Sequence, residues 1–434
     1  MSAPLATRIA EEFAAAAGSL APDSQRSRAI DALTARGLPS SRDENWKYVN
    51  LRSLEKVRFA TAGAAPDLAI TADQLPPQIQ GYARYTFVDG VLAPALSASA
   101  APPGIVVRSM RSSGSAPGNG ALQSEGDLRF ALLSEAFATD GAAIHVAADA
   151  QCPGCIELVF VASTEATRGA SYPRIDLKVA PGARIGLIER HISVGSEANF
   201  INSLASVEIG RDSSVQHYRL QQVGARAVCF DTLRATLAQS SKYQLYSVNL
   251  GAQSARSTVH VQLAGANAEV GLFNASVASR TQVHDTFQLV EHIAPNTRTE
   301  QIFRGISAGR ARVACNGKIV VRKDASGTDS RQSLRGLLAG ADAEIDVRPQ
   351  LEIYTDDVRC SHGATAGKLD DNMLFYLLSR GLDRATAMAL LKWAFLEDVV
   401  ARIEVPELRR QIEASLAGQL NETNALQGAL QELL

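Results

Sequence analysis

Residues 206–219, SVEIGRDSSVQHYR, carry a strand-like run that ends at Ile209, crosses a polar turn and resumes its alternation at Val215. The same unit recurs as DLKVAPGARIGLIE at 176–189, RATLAQSSKYQLYS at 234–247, VQLAGANAEVGLFN at 261–274 and GLLAGADAEIDVRP at 336–349. Its anchor positions Val179, Ile209, Leu237 and Leu263 are spaced by 30, 28 and 26 residues, and Leu338 follows after a longer gap. Such a unit exposes an apolar face that it cannot bury alone, so the spacing predicts stacked β coils. Period-two alternation persists from about Ala142 to the end of the last unit, with no long helix between strands, which argues against a doubly wound sheet. A parallel β-helix or related β-solenoid is the first reading and an antiparallel sandwich the second; periodicity does not separate them.

Outward from this body, residues 1–60 show helical spacing, with Ile30 and Leu33 on one face and Gly37 and Pro39 as a stop. Residues 61–141 read as a connector with a short strand at Tyr82–Val88, a low-complexity loop at Ser109–Gly120 and a helix at Phe130–Phe137. The β core takes 142–366, and 367–434 is helical. There Asp370 caps a helix reaching Ser379, with Gly381 at its left-handed end, and Asp383 caps a second helix whose Leu390, Leu391, Ala394, Phe395 and Val399 make a broad apolar face. A helix pair appended to the end of a solenoid has little core of its own, so this surface suits a partner.

Composition removes several functions. The 434 residues hold 43 Lys plus Arg against 45 Asp plus Glu, which leaves no basic footprint for nucleic acid. No apolar run approaches the roughly 18 residues of a membrane span. The opening MSAPLATRIAEEFAAAAGSL places Glu11 and Glu12 before its alanine-rich stretch, which reads as an amphipathic helix of a cytoplasmic protein. Five cysteines fit a reducing compartment better than a disulfide framework.

The chemistry concentrates in 349–381, PQLEIYTDDVRCSHGATAGKLDDNMLFYLLSRG, where Cys360 and His362 stand two residues apart. In an extended chain both side chains face one way, and a thiolate with an imidazole suits a soft or borderline metal. They supply half of a tetrahedral shell; the other reading is a small buried thiol and a turn histidine. Gly363–Leu369 lacks the first glycine and the final Ser or Thr of a phosphate loop, so ATP hydrolysis is not expected. Cys152-Pro-Gly-Cys155 precedes a strand and has no second CxxC, which favours a turn at a strand entrance. Cys229 and Cys315 read as core thiols, and His284 and His292 as satisfied strand or turn histidines.

The order Asp356-Asp357-Val358, a basic Arg359, then Cys360-Ser361-His362-Gly363-Ala364-Thr365 and the Phe375–Gly381 helix closely resembles the C-terminal signature of the SufD family of iron-sulfur cluster assembly subunits. Gln301–Gly305, Asn316–Ile319, Pro349–Ile353 and Arg42–Tyr48 extend the resemblance, whereas the sister SufB family carries a Glu-rich EHEAT where this chain has Cys360–Thr365. The resemblance implies a right-handed parallel β-helix and a non-catalytic scaffold that pairs with a SufB-like subunit. It implies a SufC-like ATPase docked on the C-terminal helices, with Phe375, Trp393 and Phe395 as candidate contacts. Cys360 and His362 would then be ligands for transient iron or a nascent cluster shared with SufB. Asp356 and Asp357 would orient the site or cap the adjacent turn. Any reduced flavin would be held only by the assembled complex, and a homodimer of the isolated chain stays open. Two other classes compete. One is a β-helix carbohydrate-active enzyme, which would want stacking aromatics where this chain has 6%; the other is a structural adaptor whose Cys360 and His362 do no chemistry.

Overall fold

The computed structural model describes residues 5–16, 18, 20, 24–40, 42–49, 51–61, 70–113 and 128–420. Its strands are β1 (Ala83–Val88), β2 (Val91–Leu92), β3 (Ile105–Ser109), β4 (Ala142–Val146), β5 (Gln151–Ala162), β6 (Arg174–Val179), β7 (Arg184–Ser193), β8 (Phe200–Ile209), β9 (Ser214–Val223) and β10 (Val228–Leu237). They continue as β11 (Lys242–Gly251), β12 (Ser254–Leu263), β13 (Glu269–Ala278), β14 (Val283–His292), β15 (Arg298–Ser307), β16 (Arg312–Val321), β17 (Thr328–Leu338), β18 (Glu344–Ile353) and β19 (Val358–Gly367). From β5 onward odd strands lie in one sheet and even strands in the other, neighbours running parallel, so the chain winds a β-solenoid of about 8 turns. The antiparallel sandwich is thereby excluded.

Register explains why the repeat is readable. Ile144, Leu177, Val207, Ala235, Val261, Val290, Ile319 and Leu351 stack in register along the even sheet and form one wall of the interior core. At the corner leading from even to odd strands, Gly182, Asp212, Ser240, Asn267 and Asn296 each adopt a left-handed φ between 55° and 74°, which selects the glycine and short polar residues of the motif. The N–H of each corner residue donates to the carbonyl of the next coil's corner, a ladder that ends where Gly327 N–H donates to Asp357 O at 2.7 Å. Leu338 is not the next anchor. It ends β17 in the odd sheet, and the Val179–Leu263 ladder continues instead through His292, Val321 and Ile353. The two corners of a coil use similar chemistry, so the sequence confuses them.

Helices cover both outer faces. α1 (Leu5–Ala16), α2 (Ser24–Arg36), α3 (Met110–Ser113) and α4 (Arg129–Phe137) precede the main coils; α1, α2 and α4 bury Ile9, Ile30, Leu33 and Phe130 against Phe200 and Phe230 of the even sheet. The Ser109–Gly120 loop is helical at α3 and beyond Ser113 lies outside the described residues. The Arg42–Tyr48 motif is a clip along the same face. Trp46 lies under the Arg256 guanidinium at 4.4 Å, Tyr48 under Arg312 at 5.0 Å, and Glu44 pairs with Arg348. β1 and β3 join the two sheets, so the solenoid begins inside the 61–141 connector.

The C-terminal helices are α5 (Asp371–Ser379), α6 (Arg384–Val400) and α7 (Pro406–Gln419). Asp370 and Asp383 cap the first two as expected, and Gly381 has φ 93°. The pair is not merely appended to the solenoid's end: Leu396, Val399, Val400, Leu408, Ile412 and Leu416 pack on Tyr218, Tyr246 and Phe273 of the odd sheet. Arg304 Nη2 to Asp398 at 2.7 Å and Arg190 to Gln411 at 2.7 Å fasten the two helices. Most of the apolar face of α6 is therefore spent within the chain, although Ala394 is exposed.

His284 donates from Nε2 to Gly251 O at 2.6 Å, and His292 bonds Thr297 and Thr299 at 2.7 and 2.9 Å. Both are satisfied strand histidines. Burial lowers each to about 4. Unfolded histidine protonates near 6.5, so the neutral rings contribute stability that is complete above that pH and is lost as pH falls toward 4, roughly 3 kcal/mol each. We expect His292→Gln to flatten the decline in urea midpoint between pH 7 and pH 4.5; an unchanged slope contradicts the assignment.

Candidate functional site at the open end of the solenoid

β19 has β17 on one side and, among the described residues, no strand on the other, and its residues are largely exposed. Alternate N–H and C=O groups along its free edge are unpaired within the sheet, a ready template for another strand. Cys360 stands opposite Ser330 and His362 opposite Gln332, the latter in a register line that runs back through Gln301, Leu272, Leu245, His217 and Leu187. That line faces the interior core, so Cys360 and His362 occupy inward positions on the last coil, which no strand covers among the described residues. Cys360 is half-buried against the core. Burial, followed by the Asp329 carboxylate, pushes its thiol up, so metal binding must displace a proton.

The coil beneath is built for clearance and hydrogen bonding. Gln332 Nε2 donates to Gln301 Oε1, and Gln332 Oε1, one register step below His362, is buried without a partner. A Cβ on Gly317 would come within 2.3 Å of Gln332 Nε2, so only glycine leaves room for this amide stack. Among the described residues no group of three or more His, Cys, Asp and Glu side chains could hold a metal ion. The pair offers two donors toward the open end.

Residues 160–395, more than half of the chain, match the family model described as the SUF system FeS cluster assembly SufBD core domain. The chain belongs to the SufBD core family. The iron-sulfur cluster assembly protein SufD of Escherichia coli K12 is 29% identical over 406 residues, covering 91% of this chain and 92% of its own length. A SufBD family protein of Synechocystis is 26% identical with 89% of each chain covered, and the chloroplastic protein ABCI7 of Arabidopsis thaliana is 28% identical over 58% of this chain. A SufD-type protein with a role in iron-sulfur cluster assembly follows from this membership.

In this SufBD chain the hydrogen bonds of the acidic pair at the corner before β19 are made by its backbone. Asp356 and Asp357 are exposed; Val358 N–H donates to Asp356 O at 3.1 Å, and the Asp357 carbonyl closes the corner ladder. Of the three docking candidates, Phe375 is 72% exposed on α5, with Met373 and Tyr376 beside it in sequence and also exposed. Trp393 and Phe395 are half-buried against the cluster that joins α6 and α7 to the sheet. Their pattern on α6 looked open because the sheet that covers it lies roughly a hundred residues earlier. The described residues include no helix long and apolar enough to cross a membrane.

Sequence reasoning missed a buried ionic group inside the coils. His191 Nε2 lies 2.5 Å and His217 Nε2 2.9 Å from the Glu189 carboxylate, and Arg219 reaches Glu189 at 3.3 Å and Asp231 at 2.7 Å. Burial alone would raise the Glu189 carboxyl, yet Arg219, His191 and His217 hold it well below its ordinary range. The signal was parity: Glu189 and His191 share the inward parity of Leu187, and Arg219 shares that of His217.

Proposed function

We propose that this chain is a non-catalytic scaffold subunit of iron-sulfur cluster assembly, cytoplasmic, pairing through the open end of its solenoid with a SufB-type subunit. The observation that carries this reading is the inward placement of Cys360 and His362 on a last coil whose edge strand pairs with no further strand among the described residues. The partner supplies the missing donors, so incoming iron or a nascent cluster is cargo held between two chains. A ligand set divided in this way binds weakly until the partner closes it, and subunit motion then gates both assembly and release. In isolation the same edge can pair with a second copy of the chain. Any reduced flavin binds only in the assembled complex.

The exposed α5 face around Phe375 is the surface that meets a SufC-type ATPase, where the ATP chemistry resides. Co-expression with SufB-type and SufC-type subunits tests both contacts. Phe375→Asp is expected to lose the ATPase, at least ~2 kcal/mol or about 30-fold in affinity, while the SufB-type subunit is retained. Unchanged ATPase recovery contradicts the docking assignment.

A further inference from the structure

Cys152-Pro153-Gly154-Cys155 is not a turn ahead of β5 but a bulge within its first residues. β5 pairs with β7 as Cys152↔Ile185 and Ile156↔Leu187, so four residues of one strand span two of the other. In a regular strand positions 152 and 155 would face opposite ways. Within the bulge the regular alternation breaks, and both cysteines pack against the same interior cluster. The Cys155 thiol donates to Cys152 O at 3.1 Å. Both cysteines are free in this structure, Cys155 buried and Cys152 half-buried.

Tyr82 adds an independent observation. Its side chain is 7% exposed, and its hydroxyl is buried with no hydrogen-bond partner. A Cβ at Gly154 would come within 2.9 Å of that hydroxyl, so the oxygen lies directly over the bulge. Tyr82 also belongs to the cluster that seats α7.

We propose that Cys152 and Cys155 form a reversible dithiol–disulfide site for low-molecular-weight disulfides, with Cys152 the attacking sulfur and Tyr82 the donor to its thiolate. Burial and the hydrogen bond to Cys152 push the Cys155 thiol up, so it stays protonated at rest and acts second. The Cys152 thiolate attacks one sulfur of a small disulfide, forming a mixed disulfide and releasing one thiolate, which takes a proton. Cys155 then attacks Cys152 Sγ, passes its proton to the departing thiolate, and closes the intramolecular bond. The protein loses two electrons and two protons, and the small disulfide becomes two thiols.

The test equilibrates the purified full-length protein with glutathione buffers from reducing to oxidising, quenches with acid, alkylates and maps peptides by mass. We expect Cys152 and Cys155 to lose alkylation together and the peptide to carry an internal disulfide, while Cys229 and Cys315 stay reduced. Cys155→Ser should stop at a glutathione adduct on Cys152, and Tyr82→Phe should slow alkylation of Cys152 several-fold at neutral pH. Persistent alkylation of both cysteines in the wild type, a stable glutathione adduct that does not cyclise, or linkage of Cys152 to another cysteine overturns the proposal.

Discussion

Arg219→Ala is expected to destabilise the solenoid by about 3–5 kcal/mol, because it leaves two buried carboxylates without their cation. Arg219 is the group that Glu189 and Asp231 share, and Glu189 also faces His191 and His217 in the same closed interior. The Glu189 carboxyl is held below its unfolded value, so its contribution is present above the ordinary carboxylate range and is lost as pH falls through the folded value. The gap between wild type and variant should therefore be widest near neutrality and narrow in acid. A Glu189→Gln/Arg219→Met pair should cost less than the sum of the two single changes, because each single change strands a charge. Urea titrations at pH 7 and pH 4 read this directly. Additive losses would show that the two side chains do not share an interaction.

Ala364→Pro is expected to abolish pairing with the SufB-type subunit while leaving the earlier coils folded. Position 364 lies within β19, the last strand of the odd sheet. Proline cannot donate to an incoming strand and leaves that strand's carbonyl unpaired, a cost of up to about 3 kcal/mol and so up to about 100-fold in affinity when pairing is intermolecular. The corner ladder ending at Asp357 closes before this position, so coils up to β17 keep their own hydrogen bonds. Gel filtration of the co-expressed subunits measures the outcome. A complex of wild-type affinity would move the interface away from this edge.

Much of this architecture was legible because a parallel in-register stack writes each coil's chemistry into the sequence at near-constant spacing. The left-handed corner residues Asp212, Ser240 and Asn267 marked the turns, and period two placed Cys360 and His362 on one face. Other features depend on partners that local pattern cannot name. Leu338 looked like an anchor because both corners of a coil are polar and tight. Trp393 and Phe395 looked available because the sheet they cover is distant in sequence. The Glu189 group was visible as charges at inward parity, but only stacking one coil on the next shows that Arg219 and the two histidines converge on it. The Cys152–Cys155 bulge was hidden for the opposite reason: an apolar run directly after it masks the register slip that turns both thiols inward.

The central claim is that the open coil end handles metal. Its most direct measurement is the iron and sulfide content of the complex of this chain with SufB-type and SufC-type partners, purified anaerobically, for wild type and for Cys360→Ala/His362→Ala. The account predicts an intact complex in both cases and a cluster content in the variant reduced several-fold. An intact complex with unchanged iron and sulfide would contradict it and leave a scaffold whose Cys360 and His362 are not ligands.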